Sequence, residues 1–335
     1  MNKNNNINAL TGLGIFLVVL GHSPGVLPDV AEQLAANNFP YHIFRRIISL
    51  IYTFHMPLFF VVSGFLYHYS RSNYSASFPS FFKKKFSRLI IPYIIISSLT
   101  FPVKAILSEF SRRPIEFGWN DYLKSLYMPW DNPIIYFWFL PTLMLIMLIS
   151  KPILTDKKNR LADYLILISS CFLYFYLDHY NKSGWGGLLN IEGALHNYIY
   201  FFIGYFICKN KKNILLKPNI FYLFPFILLA SLFYLTNFEN ELIFFLSISG
   251  IYASFFLSSI FLRWFSYLGS YSYQIYLLSW FPQTFSRVVF GQILDVSVWI
   301  SVFFSLVLGL AIPILIVSFL RKLDNRFILR TILGF

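Results

Sequence analysis

Hydrophobic positions in this chain come in long uninterrupted blocks, with neither the strict alternation of a half-buried strand nor the one-sided stripe of a surface helix. Blocks recur at about 7–22, 47–67, 89–107, 134–150, 161–177, 194–208, 219–236, 241–260, 266–285 and 297–320, ten in all. Each approaches the length a helix needs to cross a hydrocarbon core of about 30 Å. Segments that span lipid must satisfy their own backbone polar groups, so the pattern predicts an all-α, polytopic membrane bundle of about ten helices. Nothing in the pattern marks a repeat, a low-complexity tract or a separate soluble part, and residues 1–335 read as one integral membrane domain.

Charge orients the bundle. With the N-terminus placed in the cytoplasm, nineteen Lys and Arg residues fall in inner loops and eight in outer ones, alternating loop by loop. The excess on the inner side predicts ten spans with both termini inside. Composition agrees: 57% of residues are hydrophobic, 12% are charged, and mean hydropathy is +0.61. The net charge of +13 arises from these loop cations, which excludes a nucleic-acid-binding role. Cys171 and Cys208 lie in or beside apolar blocks and form neither a disulfide framework nor a metal spacing. Only Lys3 precedes the first block and no small-residue cleavage site follows it, so it reads as a retained span.

Ionisable groups inside such blocks are costly and point to function by default. His22 ends the first block at its outer edge, and Val18, Ile15 and Thr11 share its helical face. His55 falls about eight residues into the second block, roughly 12 Å below the outer edge. Tyr52, Phe59 and Val62 share its face, Ser63 is close by, and Pro57 frees a backbone carbonyl. On the inner side, FKKKFSRLIIP at 82–92 runs straight into a span and places Lys85 and Arg88 three apart on one face. It reads either as a topology anchor or as a clamp for phosphate. The outer stretch 108–133, with Glu109, Arg112, Arg113, Glu116, Trp119, Asp121, Trp130 and Asp131, reads as a solvated loop with interfacial aromatics or as a lining for sugar. Asp178, His179, Glu192 and His196 gather around another outer loop.

Five stretches, in order, resemble one family: GIFLVVLGHS at 14–23, FHMPLFFVVSGFLY at 54–67, FFKKKFSRLIIPY at 81–93, FWFLPTL at 137–143 and LGSYSYQIYLL at 268–278. Together they resemble the membrane acyltransferase 3 family, and within it the branch similar to fucose 4-O-acetylases and polysaccharide O-acetyltransferases. The resemblance implies an enzyme of the bacterial inner membrane that moves an acyl group, commonly acetyl, from cytoplasmic acetyl-CoA to a sugar hydroxyl. The acceptor it implies is a surface polysaccharide or its lipid-linked precursor. It assigns the catalytic histidines to His22 and His55, the donor-binding pair to Lys85 and Arg88, and the tryptophan of its WFL motif to Trp138. The chain departs from the family pattern at three positions. Thr11 stands where a basic residue is usual, Lys85 where the first arginine of the loop pair is usual, and Ser279 where a histidine often closes the last motif.

Acyl transfer to a hydroxyl needs a base or a nucleophile, and donors for the developing oxyanion. Neutral imidazole fills either of the first two roles near pH 7. Two routes fit. In one, the thioester of a donor held at Lys85 and Arg88 reaches His22, which deprotonates the sugar; in the other, a histidine is transiently acylated. The direct route needs fewer steps. Tyr52, Ser63, Trp138, Ser270, Ser272 and Tyr276 are the candidate substrate or oxyanion contacts, and the predicted site needs no metal. The expected partners are acyl-CoA, a surface glycan or lipid-linked oligosaccharide, and membrane lipid. A flippase for a lipid-linked sugar, with the histidines as proton relays, is the competing class, but its inverted repeats are not evident. A catalytically silent relative is the other alternative.

Overall fold

The apolar blocks are helices. The computed structural model describes residues 3–24, 39–71, 77–111, 113–154, 159–180, 187–210, 218–235, 239–323 and 333, and among these no residue is in a strand. Of the predicted loop cations, Arg112, Lys157, Lys158, Lys182, Lys211, Lys212, Lys217, Arg326 and Arg330 lie outside the described residues.

Six helical segments are long and apolar enough to cross a membrane: His42–Ser70, Phe78–Ile106, Ile135–Ile153, Arg160–His179, Leu242–Ile260 and Val298–Lys322. The chain is an integral membrane protein of helices. The other four expected spans are helical but fall short of that standard among the described residues. The block at 7–22 lies on α1 (Lys3–His22), whose apolar part, Asn6–His22, is short. The block at 219–236 lies on the thirteen-residue α8 (Leu223–Leu235) and the single turn before it. The block at 194–208 lies on α7 (Ile191–Lys209), whose apolar run is diluted by Glu192, His196, Asn197 and Lys209.

The block at 266–285 breaks into α10 (Leu262–Ser270), α11 (Ser272–Leu278) and α12 (Trp280–Val288). Two causes are local. The ladder tightens at Tyr271, whose N–H bonds back to Leu268 O, three residues away. Pro282 has no N–H to donate to Leu278, and the turn at Ser279 follows.

Two compact units make up the chain. One comprises residues 1–59 and 213–318. It holds α1, the first part of α2 (Phe39–Arg71), α8, α9 (Glu239–Ile260), α10 to α12, and α13 (Val298–Lys322) up to Ser318. Here α1 and α10 cross with backbones touching: a Cβ on Gly12 would meet the carbonyl of Phe265, and one on Gly269 the carbonyl of Asn8. Such small-residue crossings replace the hydrophobic drive that is missing between helices in lipid. Gly309 of α13 seats instead against the side chains of Val19 and Gln283.

The other unit comprises residues 60–212 and 319–335. It holds the rest of α2, then α3 (Phe78–Ile106), α4 (Trp119–Tyr127), α5 (Phe139–Ile153), α6 (Arg160–Tyr180) and α7. Gly64 of α2 and Gly204 of α7 face each other, each where a Cβ would strike the partner backbone at Phe201 and Val61 respectively. Fully buried Phe60, Phe137, Phe201, Phe202 and Tyr205 fill the core around that crossing. A buried ion pair, Lys209 to Asp163 at 2.7 Å, joins α7 to α6.

Candidate functional site

The last four carbonyls of an α-helix have no partner within it. At the end of α1 each of them is met by another group. Val19 O accepts the amide of Gln283 at 2.8 Å and the hydroxyl of Ser23 at 2.6 Å. Leu20 O accepts the N–H of Ser23 at 3.2 Å, and Gly21 O the phenol of Tyr52 at 3.2 Å. His22 O accepts Arg287 Nη1 at 2.7 Å. The residue that carries the candidate base is therefore fixed by groups from α2 and α12. Gln283 and Arg287 reach it together because they stand four apart on one helical face.

Tyr52 sits between the two histidines. Its hydroxyl is 3.2 Å from His22 Nδ1, and its ring meets the His22 and His55 rings edge-on at 5.6 and 5.0 Å between centroids. Its position three residues before His55 on α2 produces that contact. Burial differs along the trio: His55 is 2% exposed, His22 half-buried, Tyr52 45% exposed. His55 Nδ1 lies 2.8 Å from Ile51 O. A carbonyl only accepts, so in neutral His55 the proton is on Nδ1 and Nε2 carries the lone pair. Pro57 leaves Thr53 O without its helical donor, and Ser247 Oγ of α9 occupies that place at 2.5 Å. The histidines of the trio can thus hold a proton or accept one from a substrate hydroxyl.

Other predicted residues fall elsewhere. Gly269 touches Asn8, so Ser270 and Ser272 lie near the start of α1, roughly 21 Å along that helix from His22 at 1.5 Å per residue. The Ser270 hydroxyl bonds to Tyr267 O at 2.7 Å. Tyr276 is buried in α11. Thr11 bonds back to Ile7 O at 2.5 Å.

In the second unit, Ser63 is half-buried on α2 and Arg88 exposed on α3. The Lys85 ammonium lies 5.7 Å from the centre of the Phe81 ring, which it shares with Lys151 at 5.3 Å. Trp138 stacks on Trp130 at 5.1 Å and 13°. Asn190 orders that pair: its carbonyl accepts Trp130 Nε1 at 3.1 Å and its amide donates to Thr142 Oγ1 at 2.7 Å. Asn190 and Leu189 both have positive φ, 57° and 51°, a conformation that costs energy and needs such bonds to persist. In the stretch 108–133, Lys124 pairs with Asp131 at 3.0 Å. That hydrogen bond holds the Lys124 ammonium above its ordinary range. Trp119 is 80% exposed on α4, and His196 stacks on Tyr174 at 4.0 Å.

Sequence reasoning placed His22, Tyr52 and His55 but missed Gln283, Arg287 and Asn190. The one available signal was Arg287 as the sole Lys or Arg between Arg263 and Arg321. Residues 4–318 match the model of an acyltransferase domain family. No curated protein and no solved structure matches the chain.

Proposed function

Because the chain belongs to the acyltransferase 3 family, we propose that it is a membrane O-acetyltransferase acting on a sugar hydroxyl of a surface polysaccharide or its lipid-linked precursor. The observation that carries this proposal is the trio of His22, Tyr52 and His55 at the clamped end of α1. A hydroxyl becomes a nucleophile when a base in hydrogen-bond reach takes its proton. In this proposal His22 is that base. The sugar oxygen bonds to the thioester carbonyl carbon, and its proton passes to the imidazole. The carbon–sulfur bond then breaks, and the departing thiolate takes the proton back. Tyr52 orients the His22 ring, and His55 offers Nε2 as a second proton acceptor. The donor is acetyl-CoA, with Lys85 and Arg88 as the cations for its phosphates. Ten spans, both termini in the cytoplasm and residence in a bacterial inner membrane complete the proposal. Ser270 and Ser272 have no part in it.

The test is mass spectrometry of surface glycan from cells carrying the wild type, His22→Ala or no copy. An acetyl increment that needs the gene and disappears in H22A at equal membrane abundance supports the assignment. Identical glycans in all three refute it.

A further inference from the structure

Two lysines from different helices meet on one aromatic ring. Phe81, 7% exposed in the first turn of α3, packs edge-on against the buried Tyr67 ring at 6.0 Å and 83°. Lys85 reaches the Phe81 ring from one turn further along α3, with its ammonium 5.7 Å from the centre. Lys151 reaches the same ring from the last turn of α5, at 5.3 Å. The two ammonium groups are therefore at most about 11 Å apart. Ordinary causes explain part of this. The macrodipole favours a cation in the last turn of α5, and membrane helices carry anchoring cations at their ends. Lys83, Lys84 and Arg88 are exposed, as anchors are, whereas Lys85 and Lys151 are half-buried. Neither cause brings a lysine of α5 to a ring of α3 that already holds another lysine.

A ring face fixes where an ammonium sits. Two ammonium groups so fixed, from separate helices, suit a ligand with several negative groups within about 11 Å. Acyl-CoA is such a ligand, since it carries a diphosphate and a ribose phosphate. We propose that Lys151 binds phosphate of the acyl-CoA donor, completing with Lys85 a site whose spacing Phe81 sets. This inference rests on the transferase assignment made above for its donor. Phospholipid headgroups offer the same phosphate chemistry, and the experiment separates the two sources. No bond forms or breaks at Lys151. It holds the donor equally before and during the reaction, so its loss shows in affinity and not in kcat.

The experiment uses purified full-length protein in nanodiscs of phosphatidylcholine or phosphatidylglycerol. Calorimetry gives the Kd for CoA. Thiol release with the cell's own surface glycan as acceptor gives kcat and KM for acetyl-CoA, and kcat/KM for S-acetylpantetheine, which lacks the phosphates. Wild type, H22A, K151M and K151R are compared, each with its thermal stability. K151M is expected to raise the Kd for CoA and the KM for acetyl-CoA by about tenfold or more, the range for one hydrogen bond to a charged group. Its kcat, and its kcat/KM for S-acetylpantetheine, stay within about threefold of wild type, as for loss of uniform binding. K151R keeps the charge and recovers most of the lost affinity. A K151M affinity for CoA near wild type, a K151R affinity no better than K151M, or an equal loss with S-acetylpantetheine overturns the inference. If K151M binds CoA like wild type and loses only the thermal stabilisation given by phosphatidylglycerol, the site belongs to headgroups and the inference falls. If wild type is active, H22A silent and K151M unimpaired, the Lys151 role alone fails. If wild type binds CoA through Lys151 yet releases no thiol, the transferase assignment fails while the phosphate site stands.

Discussion

Replacing Gly64 by alanine places one methyl group between two backbones. The new Cβ would lie against the carbonyl oxygen of Phe201, 2.8 Å from its carbonyl carbon and 3.0 Å from the Tyr205 nitrogen. None of these atoms is the end of a flexible side chain, so α2 and α7 must separate. Carbon atoms in contact sit about 3.5–4.0 Å apart, so the retreat is about 1 Å. A gap of that size forfeits roughly a quarter to a half of each contact well of about 0.1–0.2 kcal/mol; over roughly 40 atom pairs along the crossing this comes to about 2 kcal/mol. Gly204→Ala meets the same obstacle from the other side, with Val61 carbonyl carbon at 2.7 Å, and has the same cost. Once one methyl has parted the helices the second finds room, so the double variant is expected to lose clearly less than the sum. The assay is thermal unfolding in detergent of wild type, both single variants, the double variant and Gly187→Ala. A Cβ at Gly187 has nothing within 4 Å, so that variant is the control. Wild-type stability in G64A, or strictly additive losses in the double variant, refutes the close crossing.

Four further outcomes follow from particular contacts. Tyr52→Phe removes the hydroxyl from His22 Nδ1 and Gly21 O; kcat for acyl transfer should fall while stability drops by about 1 kcal/mol. Asp163→Asn strands the Lys209 charge, 6% exposed, and should cost about 3–5 kcal/mol, much of it regained when Lys209→Met is added. Asn190→Ala loses two hydrogen bonds and must hold a methyl at φ 57°; it should be less stable than Asn190→Gly by about 1 kcal/mol, with both below wild type by calorimetry or thermal shift. Lys124→Gln should leave stability unchanged, because the pair with Asp131 is exposed. Since that ammonium is held protonated above its ordinary range, any contribution is present at neutral pH and is lost only as pH rises through the raised value.

Local order along the chain was what the sequence revealed best. Tyr52 and His55 are three apart on one helix, and that spacing alone brings their rings together. His22 closes an apolar block, so its place at a helix end was readable too. Gln283 and Arg287 were not, because 264 and 265 residues separate them from Val19 and His22, and no periodicity spans that distance. The span expected at 266–285 failed for a related reason. Its apolar character predicts one helix, but the tightened turn at Tyr271 and Pro282 interrupt it. Length alone sets its polar groups apart: roughly 20 Å of helix lies between Ser270, near the start of α1, and Gln283 at its end. Lys151 illustrates a third limit: an aromatic ring shared between two cations is invisible until α3 and α5 are packed.

The four carbonyls at the end of α1 also set an order of events during synthesis. His22 leaves the ribosome early, yet two of the groups that hold its helix end, Gln283 and Arg287, emerge more than 250 residues later. Until then Val19 O and His22 O lack these donors, and water or lipid headgroups must satisfy them. The unit that contains the trio begins with residues 1–59 and resumes only at 213. The clamp that completes the proposed site is therefore one of the last features the nascent chain acquires, and a chain that stops before residue 280 carries both histidines without it.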